Sequence, residues 1–201
     1  MSAHLHDAAA VLHIPIGVDY DLDLVLPLAV GTGHVAISGL AASGKTELAR
    51  HFDLAARSMG WGSTVLDGLG MRPAAFLQAL EAHHCPSEHR PRMLVVDHAE
   101  RVPLAGSSIL AALTRTRGMH VVLITSPFGT DPGRKFADRI WLGAPPQSRD
   151  LQSFLHAHEE ARVEELHSWR EPGDHPRTAV WRTAAGSLKP FTPYPPLPVA
   201  A

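Results

Sequence analysis

VAISGLAASGKTELARHFDLAARSM, residues 35 to 59, reads as an apolar strand, a glycine-bounded loop and an amphipathic helix in immediate succession. Within it Gly39, Gly44, Lys45 and Thr46 satisfy G-x-x-x-x-G-K-[ST], the phosphate-binding loop of nucleoside triphosphatases. The glycines let backbone N–H groups close around phosphates, and the helix that follows turns the positive end of its dipole toward them. Lys45 is placed to reach the β- and γ-phosphates of ATP, and the Thr46 hydroxyl to ligate Mg2+. The binding residues of this reading are Gly39, Leu40, Ala41, Ala42, Ser43, Gly44, Lys45, Thr46 and Glu47. A strand-to-helix turn that holds nothing could show the same letters. The flanks decide against it, since residues 34 to 38 suit a buried strand and Leu48, Phe52, Ala55 and Met59 recur at helical spacing.

Outward from the loop, residues 14 to 28 form two apolar runs around an acidic turn, a β-hairpin that would cover a sheet edge. Downstream, residues 63 to 66 make a strand ending at Asp67. Pro73 opens a helix with Phe76, Leu77 and Leu80 as its buried face. Met93 to Asp97, MLVVD, is an apolar strand that delivers an aspartate to its end, the Walker B pattern. There Asp97 would hold Mg2+ through water alongside Thr46. A helix over 109 to 113, a stop at Gly118, a strand over 120 to 125 and a short strand over 139 to 142 follow. Residues 150 to 169 suggest a long helix, and 179 to 183 with 188 to 191 a final hairpin. The stretch from Pro190 onward is too proline-rich to suggest a sheet and reads as an extended tail. Strand and helix alternating at this spacing predict an α/β fold with a mainly parallel sheet, helices on both faces and hairpins at both ends. The expected organisation is a flexible N-terminus over 1–13, one ATPase domain over 14–194 and a Pro-rich tail over 195–201.

Composition narrows the function classes. The 201 residues carry 18 Lys plus Arg against 20 Asp plus Glu, a formal charge of -2, so no general basic excess marks a nucleic-acid coat. A single cysteine, Cys85, excludes an intrachain disulfide and suits a reducing cytoplasm. No apolar run reaches the length of a membrane span and no signal peptide opens the chain, so a cytoplasmic protein is expected, with a membrane-associated partner left open. Fourteen histidines include a loose His83, His84, Cys85, His89 group, but its polar, Pro-containing setting reads as solvated loop.

With these pieces in view, the chain resembles the motor domain of FtsK/SpoIIIE-type P-loop ATPases, the DNA translocases related to conjugation motors and the EccC ATPases of type VII secretion. The resemblance runs from about residue 14 to 194. IPIGVD (14–19) is similar to that family's leading hairpin, GHVAISGLAASGKTEL (33–48) to its Walker A segment and RTRGMHVVLITSPF (115–128) to its sensor strand, with Thr125 and Ser126 at the sensor position. ADRIWLGAPPQSRDL (137–151) and EPGD (171–174) match its later segments. The resemblance implies a RecA-like fold, Mg-ATP hydrolysis, a homo-oligomeric ring, double-stranded DNA as partner and Arg139 as an arginine finger acting across a subunit boundary. A surface arginine at a strand start is the plainer reading of Arg139. Two departures bear on chemistry. His98 stands where the family has a glutamate that activates water, leaving Glu100 as the nearest carboxylate for that task, and Ser126 replaces the sensor glutamine. Polypeptide translocation of the secretion kind and a non-hydrolysing nucleotide-binding assembly subunit are the alternatives, favoured by the charge balance and by His98 respectively.

Overall fold

A computed structural model of the chain describes residues 12–19, 22–28, 34–83, 91–101, 104–116, 118–125, 136–143 and 179–194. In chain order they form β1 (Leu12–Asp19), β2 (Leu22–Leu28), β3 (Val35–Gly39), α1 (Lys45–Ser58), β4 (Gly62–Asp67), α2 (Pro73–Ala82), β5 (Arg92–Asp97), a 3-10 turn (Ala99–Arg101), α3 (Leu104–Leu113), β6 (Met119–Ile124), β7 (Asp138–Leu142), β8 (Ala179–Arg182) and β9 (Leu188–Pro193). The strands make one sheet in the order β2-β1-β9-β8-β7-β3-β6-β5-β4. From β7 to β4 every pairing is parallel, so the C-terminal ends of these five strands point the same way. The remaining pairings are antiparallel, through the two hairpins.

The core shows why continuous apolar strands are needed here. Side chains of a strand alternate between faces, and both faces of this sheet are covered. On one, Val35, Ile37, Val95, Val122 and Ile124 pack with Leu48, Ala49, Phe52 and Ala56 of α1. On the other, Ala36, Leu94, Val96, Val121 and Leu123 pack with Phe76 and Leu80 of α2 and Leu110 and Leu113 of α3. The buried stripe of α1 therefore runs through Ala56, while Met59, expected on it, is the C-cap and is 56% exposed.

Three boundaries differ from expectation. The leading hairpin begins at Leu12, which is buried in the core, so the domain starts two residues before residue 14. Helix α3 begins at Leu104, five residues ahead of the predicted start. The largest correction is to the tail reading: Pro190 and Phe191 lie in the strand expected over 188 to 191, and Thr192 and Pro193 continue it as part of β9. Phe191 is fully buried, and the strand pairs with β8 on one side and β1 on the other. Tyr194 N donates to Ile16 O at 3.4 Å, so by the two-residue alternation the amide position of Pro190 faces β1 and that of Pro193 faces β8. Registered pairing covers 188–191 toward β8 and 192–193 toward β1. Neither proline thus takes a donor from a ladder, which is the condition for proline in a sheet. The predicted helix over 150–169, the stretch 195–201 and residue 126 lie outside the described residues.

Candidate active site

All the groups at the C-terminal ends of β3, β5 and β6 converge because these strands are parallel neighbours in register. Ile37 aligns with Ile124, and Val95 with Val122. Beyond β3 the chain must pass close to β7: a Cβ on Gly39 would lie 2.1 Å from Leu142 O, and Leu40 N donates to that same oxygen at 3.2 Å. Only glycine fits there. The loop then reverses through Ala42 at φ +57 and Gly44 at φ +89 before α1 begins. Gly44 is the N-cap and makes no side-chain cap, so the first N–H groups of α1 are presented at the loop, the arrangement that binds anions.

Lys45 opens α1 and turns its Nζ back to Gly39 O at 3.0 Å and to Leu40 O. Burial lowers its pKa from the ordinary lysine value, with the charges of Glu100 and then Asp97 acting in the opposite direction. Thr46 Oγ1 donates to Asp97 Oδ2 at 2.9 Å, which joins the start of α1 to the end of β5. Asp97 is only 6% exposed, and its other oxygen accepts the backbone N–H of His98 at 2.8 Å. Thr125 follows β6, is buried, and donates its N–H to Ile37 O at 2.9 Å, so it sits beside the start of the phosphate loop. Glu100, in the 3-10 turn, also lines the site.

Together these groups line a cleft of about 460 Å³ formed by residues 41–47 with Asp97, His98, Glu100, Ile124 and Thr125. Gly39 and Leu40 lie behind it as the carbonyls that anchor Lys45, and Glu47 on its rim pairs with Arg50 at 2.7 Å. The donors fit Mg2+: it takes oxygen ligands, one or two from protein and the rest from phosphate and water, and Thr46 Oγ1 with the Asp97 carboxylate supply such a set. They fit phosphate as well. Ser43 Oγ is buried in the loop with no hydrogen-bond partner among the described residues, and an isolated buried hydroxyl is costly.

Arg139 is the predicted site residue that the fold does not bring in. It lies on β7, 2% exposed, with Nε donating to Phe136 O at 3.0 Å in its own chain. A side chain anchored inside its own subunit is neither an exposed finger nor a surface arginine. It ties the start of β7 to the segment before it. Arg115, just past the end of α3, is exposed, and residues 117, 134 and 135 lie outside the described residues.

One contributor escapes the motif reading. Asp67 ends β4 in register with Asp97, and its Oδ1 lies 3.1 Å from His98 Nδ1. The available sign was two adjacent parallel strands each ending in aspartate, which only the strand order makes meaningful.

No family model and no curated protein matches the chain. Solved structures do. The pCW3 conjugation coupling protein TcpA, in its monomer form with ATPgS, is 12% identical at a TM-score of 0.65, the alignment covering 95% of this chain and 67% of that one. The genome packaging NTPase B204 of Sulfolobus turreted icosahedral virus 2, in complex with AMPPCP, is 16% identical at a TM-score of 0.58, covering 82% and 99%. The chain has the RecA-like P-loop NTPase fold. EssC (ATPases 2 and 3) from Geobacillus thermodenitrificans is 16% identical at a TM-score of 0.50, covering 94% of this chain and 42% of that protein. Among the described residues no helix is long and apolar enough to cross a membrane.

Proposed function

We propose that the protein binds Mg-ATP and hydrolyses it as a motor of FtsK/SpoIIIE type, moving double-stranded DNA as a ring of identical subunits. The observation that supports nucleotide binding most directly is the Thr46–Asp97 hydrogen bond. It joins the two motifs that a magnesium-bound triphosphate requires, at the mouth of a loop with an uncapped helix start. In this reading Lys45 leaves the Gly39 and Leu40 carbonyls for the β- and γ-phosphates, where a charged partner outcompetes a neutral one. Thr46 and Asp97 would hold Mg2+, which would supply neutralisation of charge on the phosphates. Thr125 stands where a polar group can contact the γ-phosphate, and Glu100 or His98 faces the attacking water.

DNA is favoured as the polymer by the likeness to a conjugation coupling protein and a genome packaging NTPase. The deciding experiment is steady-state ATP turnover with and without duplex DNA. Turnover that rises with DNA and vanishes in Lys45→Ala is the expected result. Two other readings have an observation each. The likeness to EssC favours a polypeptide, and turnover insensitive to DNA would promote it. His98 in the usual glutamate position favours a non-hydrolysing assembly subunit, which would bind ATP tightly and assemble without turning it over.

A further inference from the structure

His98 lines the cleft beside Glu100, and the scheme so far does not choose between the two for the attacking water. Its placement is heavily determined. The residue adopts φ +55, a left-handed conformation disfavoured for a residue with a Cβ. Its backbone N–H donates to Asp97 Oδ1 at 2.8 Å. Its ring Nδ1 lies 3.1 Å from Asp67 Oδ1 and 3.5 Å from Asp97 Oδ1. Asp67 is itself fixed, because the same Oδ1 accepts Leu69 N–H at 2.8 Å. The turn after β4 is also locked onto His98: Gly68 N donates to Asp97 O at 2.9 Å, and a Cβ on Gly68 would come within 2.8 Å of His98 O.

A carboxylate only accepts hydrogen bonds, so the hydrogen between His98 and Asp67 sits on Nδ1. In the neutral ring Nε2 is then an acceptor, and it has no hydrogen-bond partner among the described residues. The geometry points to Asp67 as a positioning residue. It holds the His98 imidazole in one tautomer and one orientation, so that Nε2 accepts a hydrogen bond from the water that attacks the γ-phosphorus of ATP. This inference rests on the ATPase reading. It gives an aspartate–histidine pair the task that the resemblance assigns to a glutamate, by the same logic that lets an aspartate fix the histidine of a hydrolytic triad.

Orienting the water is sufficient chemistry. Phosphoryl transfer passes through a loose transition state in which positioning counts for more than early proton removal. The water oxygen bonds to the γ-phosphorus, the bond from phosphorus to the bridging oxygen breaks with its electron pair going to ADP, and the water's proton ends on the released phosphate. Glu100 also lines the cleft, and its charge acts on Lys45, so it is the rival group to be tested beside His98.

The test compares wild type, Asp67→Asn, His98→Ala, the double variant and Glu100→Gln in the full chain, under the conditions of highest turnover. Affinity for a non-hydrolysable ATP analogue should be unchanged in the Asp67 and His98 variants. Turnover should fall on the order of tenfold in Asp67→Asn and on the order of a hundredfold in His98→Ala. The double variant should be no slower than His98→Ala, because a residue that acts only through another adds nothing once that one is gone. Nitrogen NMR of the imidazole gives a readout independent of turnover: the Nδ1–H tautomer in wild type, and a gain of the Nε2–H tautomer in Asp67→Asn. Full turnover in His98→Ala, additive losses in the double variant, an unchanged tautomer, or loss confined to Glu100→Gln would each overturn the inference. A wild-type protein that binds the analogue without turnover overturns it while sparing nucleotide binding. Failure to bind the analogue removes the ATPase reading beneath it.

Discussion

Lys45 is the side chain whose removal separates binding from folding. Its ammonium makes two hydrogen bonds to loop carbonyls and packs no core, and burial makes its charge less comfortable than in water. Lys45→Ala should therefore weaken a fluorescent ATP analogue by about two orders of magnitude, the equivalent of about 3 kcal/mol for charged contacts. The urea midpoint should stay in place. His34 makes the opposite case, a residue that serves stability and not the site. Its Nδ1 accepts Val121 N–H at 3.1 Å and its Nε2 donates to Thr114 O at 2.8 Å, so the ring bridges β6 and the end of α3 only when neutral. Burial lowers its pKa, against the smaller opposing effect of the Thr114 bond. A group lowered in the folded state contributes stability above its unfolded pKa, about 6.5 for histidine. That contribution is lost as pH falls through the folded value, because the unfolded chain then binds more protons. His83 is lowered in the same direction, so the measurement must be a difference. The gap in urea midpoint between wild type and His34→Gln should be wide at pH 7.5 and narrow toward pH 5.

At the scale of elements, β7 and β9 decide how the two halves of the sheet join. Arg139 fastens the start of β7, and Arg139→Ala should cost about 1–3 kcal/mol in urea unfolding by leaving the buried Phe136 carbonyl without its donor. Arg139→Lys should not restore it, because a lysine has no N–H at the ε position. The junction of β9 with β1 is a close approach at Gly17, where a Cβ would lie 2.2 Å from Thr192 O. How much of this was legible depends on range. The phosphate loop, both hairpins and the five parallel strands could be read from local pattern, because each is a short run whose periodicity and punctuation are self-contained. The continuation of β9 through Thr192 and Pro193 could not, since a proline is excluded or tolerated according to which neighbour its missing N–H would face. The Asp67–His98 pair could not either. It depends on β4 lying beside β5 and on a left-handed residue that no periodicity announces. The buried state of Arg139 could not be read either, since β7 is an inner strand between β3 and β8, a placement that no local run announces.

For the whole molecule, the charge balance constrains how DNA could be gripped. With 18 basic against 20 acidic residues the chain has no general basic excess, so each subunit would supply few phosphate contacts. Arg115, exposed at the end of α3, is one candidate. Each phosphate neutralised releases counterions, and the logarithm of the binding constant falls against the logarithm of salt by about 0.9 per contact. A single subunit should therefore bind duplex weakly and with a shallow salt slope. A ring holding a non-hydrolysable ATP analogue should bind far more tightly and with a slope several times steeper, because its contacts act together on one duplex. Sequence preference should be slight, since phosphate contacts position the protein without reading bases. Fluorescence anisotropy against salt, with assembly followed by light scattering, measures both slopes. Arg115→Ala should flatten the ring's slope by about one contact per engaged subunit while leaving ATP-analogue affinity unchanged. An assembled ring that binds no duplex at low salt would remove DNA as the cargo and leave the polypeptide reading in its place.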